Sequence, residues 1–416
     1  MKILFLADNF PPEANAPATR TYQHCRAWIA LGATVTVITC APNFPQGKVY
    51  PGYTNRPYVR EDMGGITVIR VWTYITANSG FARRILDYLS FAASSLVAGA
   101  FTNADVIVAT SPQLFTALGG LGLSWGKRAP WVFELRDLWP DSIRAVSAMK
   151  NARILDYLEK LELFLYRQAD LVVAVTPAFK RNLIARGIPA DKIEVVTNGV
   201  DLDMFQRRAP DEALRAQLGL TGKFVVGYVG THGMAHNLEA LMGACDRCED
   251  PDVAFLCIGD GASKRAVREI VARKRLSNVV LVDSVPKEHI ARYWSILDVA
   301  LVPLRKDPAF TSVIPSKIFE AAAMGKPILL GVEGQAREII DKYEAGVSFE
   351  PGNTEDFLDK VMLLHRDRAL YARLSEHCAR LAADFDRDTL AAAMYGHLVA
   401  LVDKSQRGTG SRRTTA

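Results

Sequence analysis

Two open α/β sheets, each doubly wound and mostly parallel, are the architecture this sequence predicts. Three observations point to it. Short runs rich in valine and isoleucine recur along the chain and are apolar at successive positions, as strands buried on both faces of a parallel sheet must be. Helical patterns alternate with them, and repeated strand–helix alternation implies right-handed crossovers in an open sheet. The series breaks once, near residues 200–220, and starts afresh at Phe224, which divides the 416 residues between two domains of similar size. A composition of 49% hydrophobic and 23% charged residues excludes a disordered, collagen-like or coiled-coil chain.

The first apolar run, Ile3 to Ala7, is too short for a secretory core and is followed by Asp8, so it reads as a buried strand. Further strands are expected at 34–39, 67–71, 106–109, 131–134 and 171–175, with an amphipathic helix at 153–167. A turn at Asn198-Gly199 and a polar stretch from Gln206 to Asp211 then place the boundary at 205/206. The second domain, 206–387, has expected strands at 224–229, 253–258, 279–282, 299–303 and 327–331. A last helix, 388–403, is expected to return toward the first domain, and the basic tail 404–416 reads as disordered. The six cysteines are sparse and read as reduced cytosolic thiols. Cys245 and Cys248 continue the apolar face of Leu238, Leu241 and Met242, which favours a buried helix face over a metal pair. The net charge, 50 − 45 = +5, suits an anionic ligand or membrane surface and makes no case for nucleic acid.

The loop after the first strand, Asp8 to Arg20, contains no glycine. A dinucleotide site needs G-x-G-x-x-G there for the backbone to approach a pyrophosphate, which argues strongly against an NAD- or FAD-binding first domain. The loop suits the lining of a cleft or an ordinary surface turn. The second domain opens differently, with a strand running into Gly230-Thr231-His232-Gly233 and a helix. Amides at such a junction can hold a diphosphate, although packing also selects glycine there. Gly259-Asp260-Gly261 closes the next strand, with Lys264 and Arg265 behind it as solvated charges. In the stretch Ser316-Lys317-Ile318-Phe319-Glu320, Ser316 reads as a helix N-cap and Gly325 as the helix stop. Lys317 and Glu320 share a helix face, so the ammonium can pair with phosphate while the carboxylate accepts both hydroxyls of a ribose. The plainer reading is a surface ion pair. Asp201-Leu202-Asp203 spells D-x-D, a pattern common by chance, and reads as linker rather than metal site.

These stretches, with Thr197-Asn198-Gly199-Val200-Asp201, resemble the family-4 retaining glycosyltransferases of GT-B fold, two facing Rossmann-like domains. Pro11-Pro12-Glu13, Pro42-Asn43-Phe44-Pro45-Gln46-Gly47 and Arg136-Asp137-Leu138-Trp139-Pro140-Asp141-Ser142 are similar to the surface-polysaccharide subgroup, which includes O-antigen N-acetylfucosamine and colanic-acid-type transferases. The resemblance implies a nucleotide-diphosphate sugar, UDP- favoured over GDP-, held by Asn198, Gly230, Thr231, Gly233, Gly259, Gly261, Lys317 and Glu320. It implies catalysis by Asp137, Lys317 and Glu320, acceptor-side roles for Arg20, Glu134 and Arg136, no metal and no cofactor. The acceptor would be a saccharide, lipid-linked through polyprenyl diphosphate, for O-antigen, capsule or exopolysaccharide. Two departures from the family stand out: Ser312 replaces the first glutamate of its paired-glutamate motif, and Arg136 replaces a common histidine. A sugar-nucleotide epimerase of similar fold and a non-catalytic binding protein are the rival readings. No run reaches 18 uncharged apolar residues, but the stretch from Phe81 to Phe101, with Arg83 and Arg84, suits contact with a membrane surface, which would place the protein on the inner face of the plasma membrane.

Overall fold

The computed structural model describes residues 1–13, 15–44, 46–76, 81–111, 113–138 and 151–411. The chain divides into two compact units: Met1–Thr197 with the residues from Asp388 onward, and Asn198–Arg387. The divide lies earlier than the expected 205/206, because Val200 and Phe205 are buried in the second unit's core and Val200 donates its amide to Phe385 O.

In the first unit β1 (Lys2–Leu6), β2 (Thr34–Cys40), β3 (Tyr58–Met63), β4 (Ile66–Val71), β5 (Val106–Thr110), β6 (Trp131–Leu135), β7 (Leu171–Ala174) and β8 (Ile193–Val195) form one sheet in the order β3-β4-β2-β1-β5-β6-β7-β8. All neighbours are parallel except β3 and β4. Alternation along β1 sends Leu4 and Leu6 into one core, and Ile3, Phe5 and Ala7 into another on the opposite face. The chain winds one way from β1 through β2 and the other way from β5, so β1 and β5 flank the switch point where such sheets open a crevice at their carboxyl ends. Strands β3 and β8 were not expected. Strand β3 is a half-exposed edge of alternating burial that carries Arg60, Glu61 and Asp62, charges that also block edge-to-edge pairing.

The helix Arg387–Ser411 buries Ala391, Met394, Leu398 and Val402 beside Trp28 in the first unit, and the Trp28 indole donates to Ala391 O at 2.8 Å. Regular helix therefore continues past residue 403 to Ser411, where a disordered tail was expected; residues 412–416 lie outside the described residues.

The second unit carries β9 (Phe224–Val229), β10 (Val253–Ile258), β11 (Val279–Val282), β12 (Val299–Pro303), β13 (Ile328–Gly331) and β14 (Gly346–Ser348), all parallel, in the order β11-β10-β9-β12-β13-β14. Its switch point lies between β9 and β12. The expected helix 153–167 is observed as Ala152–Gln168. The D-x-D stretch is a turn, in which Asp201 Oδ1 accepts the amides of Asp203 and Met204. All six cysteines are free thiols.

Candidate active site

The glycine-bearing loops at the carboxyl ends of β9 and β10 are laced together. Gly230 N donates to Ile258 O at 2.9 Å, His232 N to Asp260 O at 2.8 Å, and Ser263 N to His232 O at 2.8 Å. No side chain fits at Gly259: a Cβ there would lie 1.9 Å from Gly230 O, with φ at +138°. At Gly230 (φ +135°) a Cβ would lie 2.3 Å from Lys317 Cε. The missing side chain at Gly230 is thus the path taken by Lys317, whose Nζ donates to Tyr228 OH at 2.9 Å and lies 4.4 Å from that ring's centroid. The His236 Nε2 stands 3.4 Å from the same ammonium. Burial holds the Lys317 pKa down to about 8 against the opposing pull of Glu320. Burial likewise lowers His232 and His236 to about 4, with Lys317 pushing both the same way, so both are neutral near pH 7.

Lys317 opens the helix Lys317–Ala323, and Glu320 lies one turn on. Ser316 has helical backbone angles and makes no side-chain cap, unlike the expected N-cap; its carbonyl already accepts Phe319 N and Glu320 N. A helix of seven residues has little macrodipole to offer, so charge at this end comes from Lys317 itself. Gly325, at φ +66°, ends the helix as expected of a glycine past the last turn. Burial raises the Glu320 carboxyl above its ordinary value, opposed by Arg387, Lys317, Lys287 and the Trp294 indole. Arg387 Nε also donates to the carbonyl of the buried Gly199 at 2.8 Å, which joins Gly199 and the half-buried Asn198 to the Glu320 side of the site.

The structure thus brings Gly230, Gly259, Gly261 and Lys317 together, with Glu320 a turn away. Thr231 is exposed and its carbonyl accepts the Tyr228 hydroxyl, while Gly233 leads into the turn Met234–His236. Lys264 is a correction: it is buried rather than solvated, and its Nζ donates to Gly259 O at 2.9 Å and Val282 O at 2.7 Å, pinning the loop from behind. Arg265 is solvated and pairs with Glu269. Sequence reasoning missed Tyr228, Lys287 and Arg387. Tyr228 sits within an apolar strand run and gives no signal of its own.

In the first unit two of the three residues expected on the acceptor side, Arg20 and Glu134, are buried, and Arg136 is half-buried. Arg20 is 5% exposed and Glu134 is fully buried; Arg20 Nε donates to Glu134 Oε1 at 2.9 Å, Nη1 to Thr197 O at 2.6 Å and Nη2 to Val196 O at 2.9 Å. Arg136 Nη1 donates to Pro17 O at 3.1 Å. Burial would raise the Glu134 pKa, but Arg20 and then Arg136 and His24 overcome it and hold it down to about 2. Asp137 is half-buried just beyond β6, and its charge acts on Tyr166. Pro45 and the rest of the Arg136 motif, Trp139 to Ser142, lie outside the described residues.

A cavity of about 210 Å³ opens instead at the carboxyl ends of β1, β2, β4 and β5. Asp8, Asn9, Asn43, Phe44, Arg84, Asp87 and Tyr88 are among the residues lining it. Its walls are tied: Glu13 Oε1 accepts Asn43 N at 2.7 Å and Phe44 N at 2.9 Å, and Arg70 donates to Cys40 O and Pro11 O. Arg84 turns inward, donating to Tyr88 OH at 2.9 Å, rather than outward to a membrane. Asp87, an interruption in the apolar run by sequence, lines the same cavity.

A glycosyl transferase 4-like domain matches residues 15–199 and a group 1 glycosyl transferase domain matches residues 223–367. Over 342 residues the chain is 27% identical to the glycosyl transferase WcaI of Escherichia coli K12, a protein named for colanic acid biosynthesis; the alignment spans 80% of this chain and 84% of WcaI. Sucrose-phosphate synthase from Thermosynechococcus elongatus superposes with a TM-score of 0.75 at 19% identity, covering 96% of this chain and 99% of that one. Anabaena Alr3699/HepE in complex with UDP and glucose superposes with a TM-score of 0.71 at 19% identity, covering 96% and 99%.

Proposed function

The chain is a glycosyltransferase of GT-B fold, and on that premise we propose that it moves a sugar from a nucleotide-diphosphate donor, UDP-linked before GDP-linked, to a saccharide during assembly of a surface polysaccharide. The observation that carries the donor assignment is the placement of Lys317 and Glu320 one turn apart on a short helix beside a loop where no side chain fits. The loop amides and the ammonium suit a diphosphate, and a carboxylate one turn on suits a ribose. The UDP bound by HepE and the colanic acid role in the name of WcaI support the donor and the pathway.

Breaking the glycosidic bond leaves new negative charge on the diphosphate. Groups already aimed at that charge lower the barrier most. Lys317 meets this need without a divalent ion. Retention of configuration follows if the acceptor attacks from the leaving-group face, with a leaving phosphate oxygen taking its proton. Thermal-shift measurements against UDP, GDP and their sugars test the donor site. A shift of several degrees with one nucleotide, unchanged by EDTA and reduced in Glu320→Gln, is the expected result. No shift in a folded sample sinks the donor site, abolition by EDTA sinks metal independence, and sugar interconversion without acceptor points to an epimerase.

A lipid-linked acceptor belongs to the same reading. The helix Phe81–Ala100 exposes Leu86, Leu89 and Val97, with Phe101 89% exposed just beyond it and Trp125 exposed on the adjoining helix Thr116–Lys127. Lys127 reaches back to Ala100 O, and Arg83 is exposed at the other end. An apolar stripe with aromatic and basic residues at its rim fits the interface of an anionic bilayer. Among the described residues no helix is long and apolar enough to cross a membrane. Val97→Asp with Phe101→Asp is expected to abolish flotation with anionic vesicles; full retention would remove the membrane from this account.

A further inference from the structure

We propose that His236 is a positioning residue for the transfer: its neutral ring accepts one N–H of the Lys317 ammonium at Nε2, the Tyr228 hydroxyl accepts another, and the third is left for the leaving diphosphate. The inference rests on the donor reading above, because it takes Lys317 to meet that diphosphate; it adds what holds the ammonium and in which protonation state.

Each hydrogen here has one place to go. Tyr228 OH donates to Thr231 O, and a phenol has a single proton, so toward Lys317 its oxygen is an acceptor only. An ammonium has three donors and no acceptor. One N–H goes to Tyr228 OH at 2.9 Å, and His236 Nε2 stands 3.4 Å from the same nitrogen. Facing a pure donor, Nε2 offers its lone pair, so the ring proton sits on Nδ1. The ring is also placed by its neighbours. It meets the Tyr228 ring edge to face, with centroids 5.7 Å apart and planes at 62°. His236 closes the short turn Met234–His236, which is tied by His236 N to Gly233 O at 3.0 Å and by Arg305 N to Ala235 O at 2.8 Å. A Cβ at Gly233 would lie 3.3 Å from His236 Nδ1, so a side chain there would crowd the ring.

Two neutral acceptors are what a diphosphate-binding lysine needs. The lysine stem is long and flexible, so a tip held before the ligand arrives leaves less to order during the reaction. A carboxylate in either place would hold the tip too, but it would cancel the charge and repel the diphosphate. The groups facing His236 are Lys317 on the helix Lys317–Ala323, Tyr228 on β9 and His232 on its own loop, while Arg305 and Glu239 on the flanking segments are exposed. Burial first, and the Lys317 charge next, lower the His236 ring to about 4, so it is uncharged near neutral pH. Protonation would remove the acceptor and set two cations side by side. The arrangement is therefore complete well above pH 4 and fails as pH falls through about 4 in the empty site.

Nitrogen NMR of the histidine rings in the full chain at pH 7 reads the tautomer directly. His236 is expected to be neutral with its proton on Nδ1, and a proton on Nε2 overturns the proposal. Calorimetric UDP binding from pH 7 to pH 9.5, above the phosphate's own ionisation at about pH 6, reads the consequence. His236→Leu, in a chain whose melting temperature shows that it is folded, is expected to weaken UDP about tenfold, the loss of one hydrogen bond to a charged group. It should also move the alkaline loss of affinity, which follows Lys317 at about 8, to lower pH. His236→Gln has a side-chain oxygen that accepts and does not titrate, so it should restore both. In a Lys317→Ala chain, adding His236→Leu should cost nothing further, because the ring acts through the ammonium. A loss that persists in the Lys317→Ala chain means that the ring meets the phosphate itself and overturns the proposal, as does wild-type affinity in His236→Leu or failure of His236→Gln to rescue. UDP binding by the wild-type chain separates the two readings. UDP bound without any dependence on His236 removes this inference alone, whereas no UDP binding removes the donor reading, and the tautomer then decides whether His236 holds Lys317.

Discussion

Lys317→Ala is expected to lower kcat by about 10²–10³, the loss typical when one preorganised donor to a developing oxyanion is removed. The ammonium is set for that task before any ligand arrives. Its stem crosses the space left by Gly230, and the Tyr228 hydroxyl and ring fix its tip at 2.9 Å and 4.4 Å respectively. Little reorganisation remains when the diphosphate begins to leave. The truncation should cost the fold little, since the residue is the first of a short helix and alanine is a good helix former. The KM for the donor should rise less than kcat falls, because the demand for positive charge is greatest in the transition state. Lysine acts here in its protonated form. In the empty site that form predominates below about pH 8 and is lost as pH rises through it. A bound diphosphate favours the charge and moves the loss upward, so kcat should decline at higher pH than kcat/KM. Steady-state kinetics of transfer, or of donor hydrolysis without acceptor, measures all of this. An unchanged kcat would mean that the leaving charge is met elsewhere.

The same residues show what a sequence can and cannot carry. Strands such as β9 and β12 were legible because burial on both faces leaves every position apolar. Strand β3 was not, since an edge strand alternates and holds three charges in a row. Lys317 and Glu320 were legible because their relation is one helical turn, a local distance. The partners of Arg20 lie more than a hundred residues away, so the sequence could mark it as unusual but not say what it meets. Asp87 illustrates the reverse error. In sequence it breaks an apolar stretch, and in the fold it is the turn of a helix that faces a cavity while Leu86 and Leu89 face outward. Lys264 misled for a related reason: two basic residues after a turn look solvated, yet one of them is an internal brace for Gly259.

Arg20→Ala is expected to destabilise the first unit by about 3–5 kcal/mol, the cost of breaking a buried ion pair from one side. Glu134 would then sit fully buried without the guanidinium that holds it ionised, and the carbonyls of Val196 and Thr197 would lose their donors. Glu134→Ala should cost a similar amount by stranding the arginine, and the double variant should cost less than the sum, because the two share one interaction. Denaturant melts give the stabilities, and UDP binding to the folded fraction should stay at the wild-type level. The pH dependence has a definite sign. The Glu134 pKa lies at about 2 when folded, below the about 4.3 of an unfolded glutamate, so the pair's contribution is complete above pH 4.3 and fades as pH falls toward 2. Wild type should therefore lose stability across that window, and Glu134→Ala should lose correspondingly less. A variant at Arg20 with wild-type stability but no acceptor turnover would return this residue to the ligand; the bonds it already makes to Glu134, Val196 and Thr197 argue for the frame.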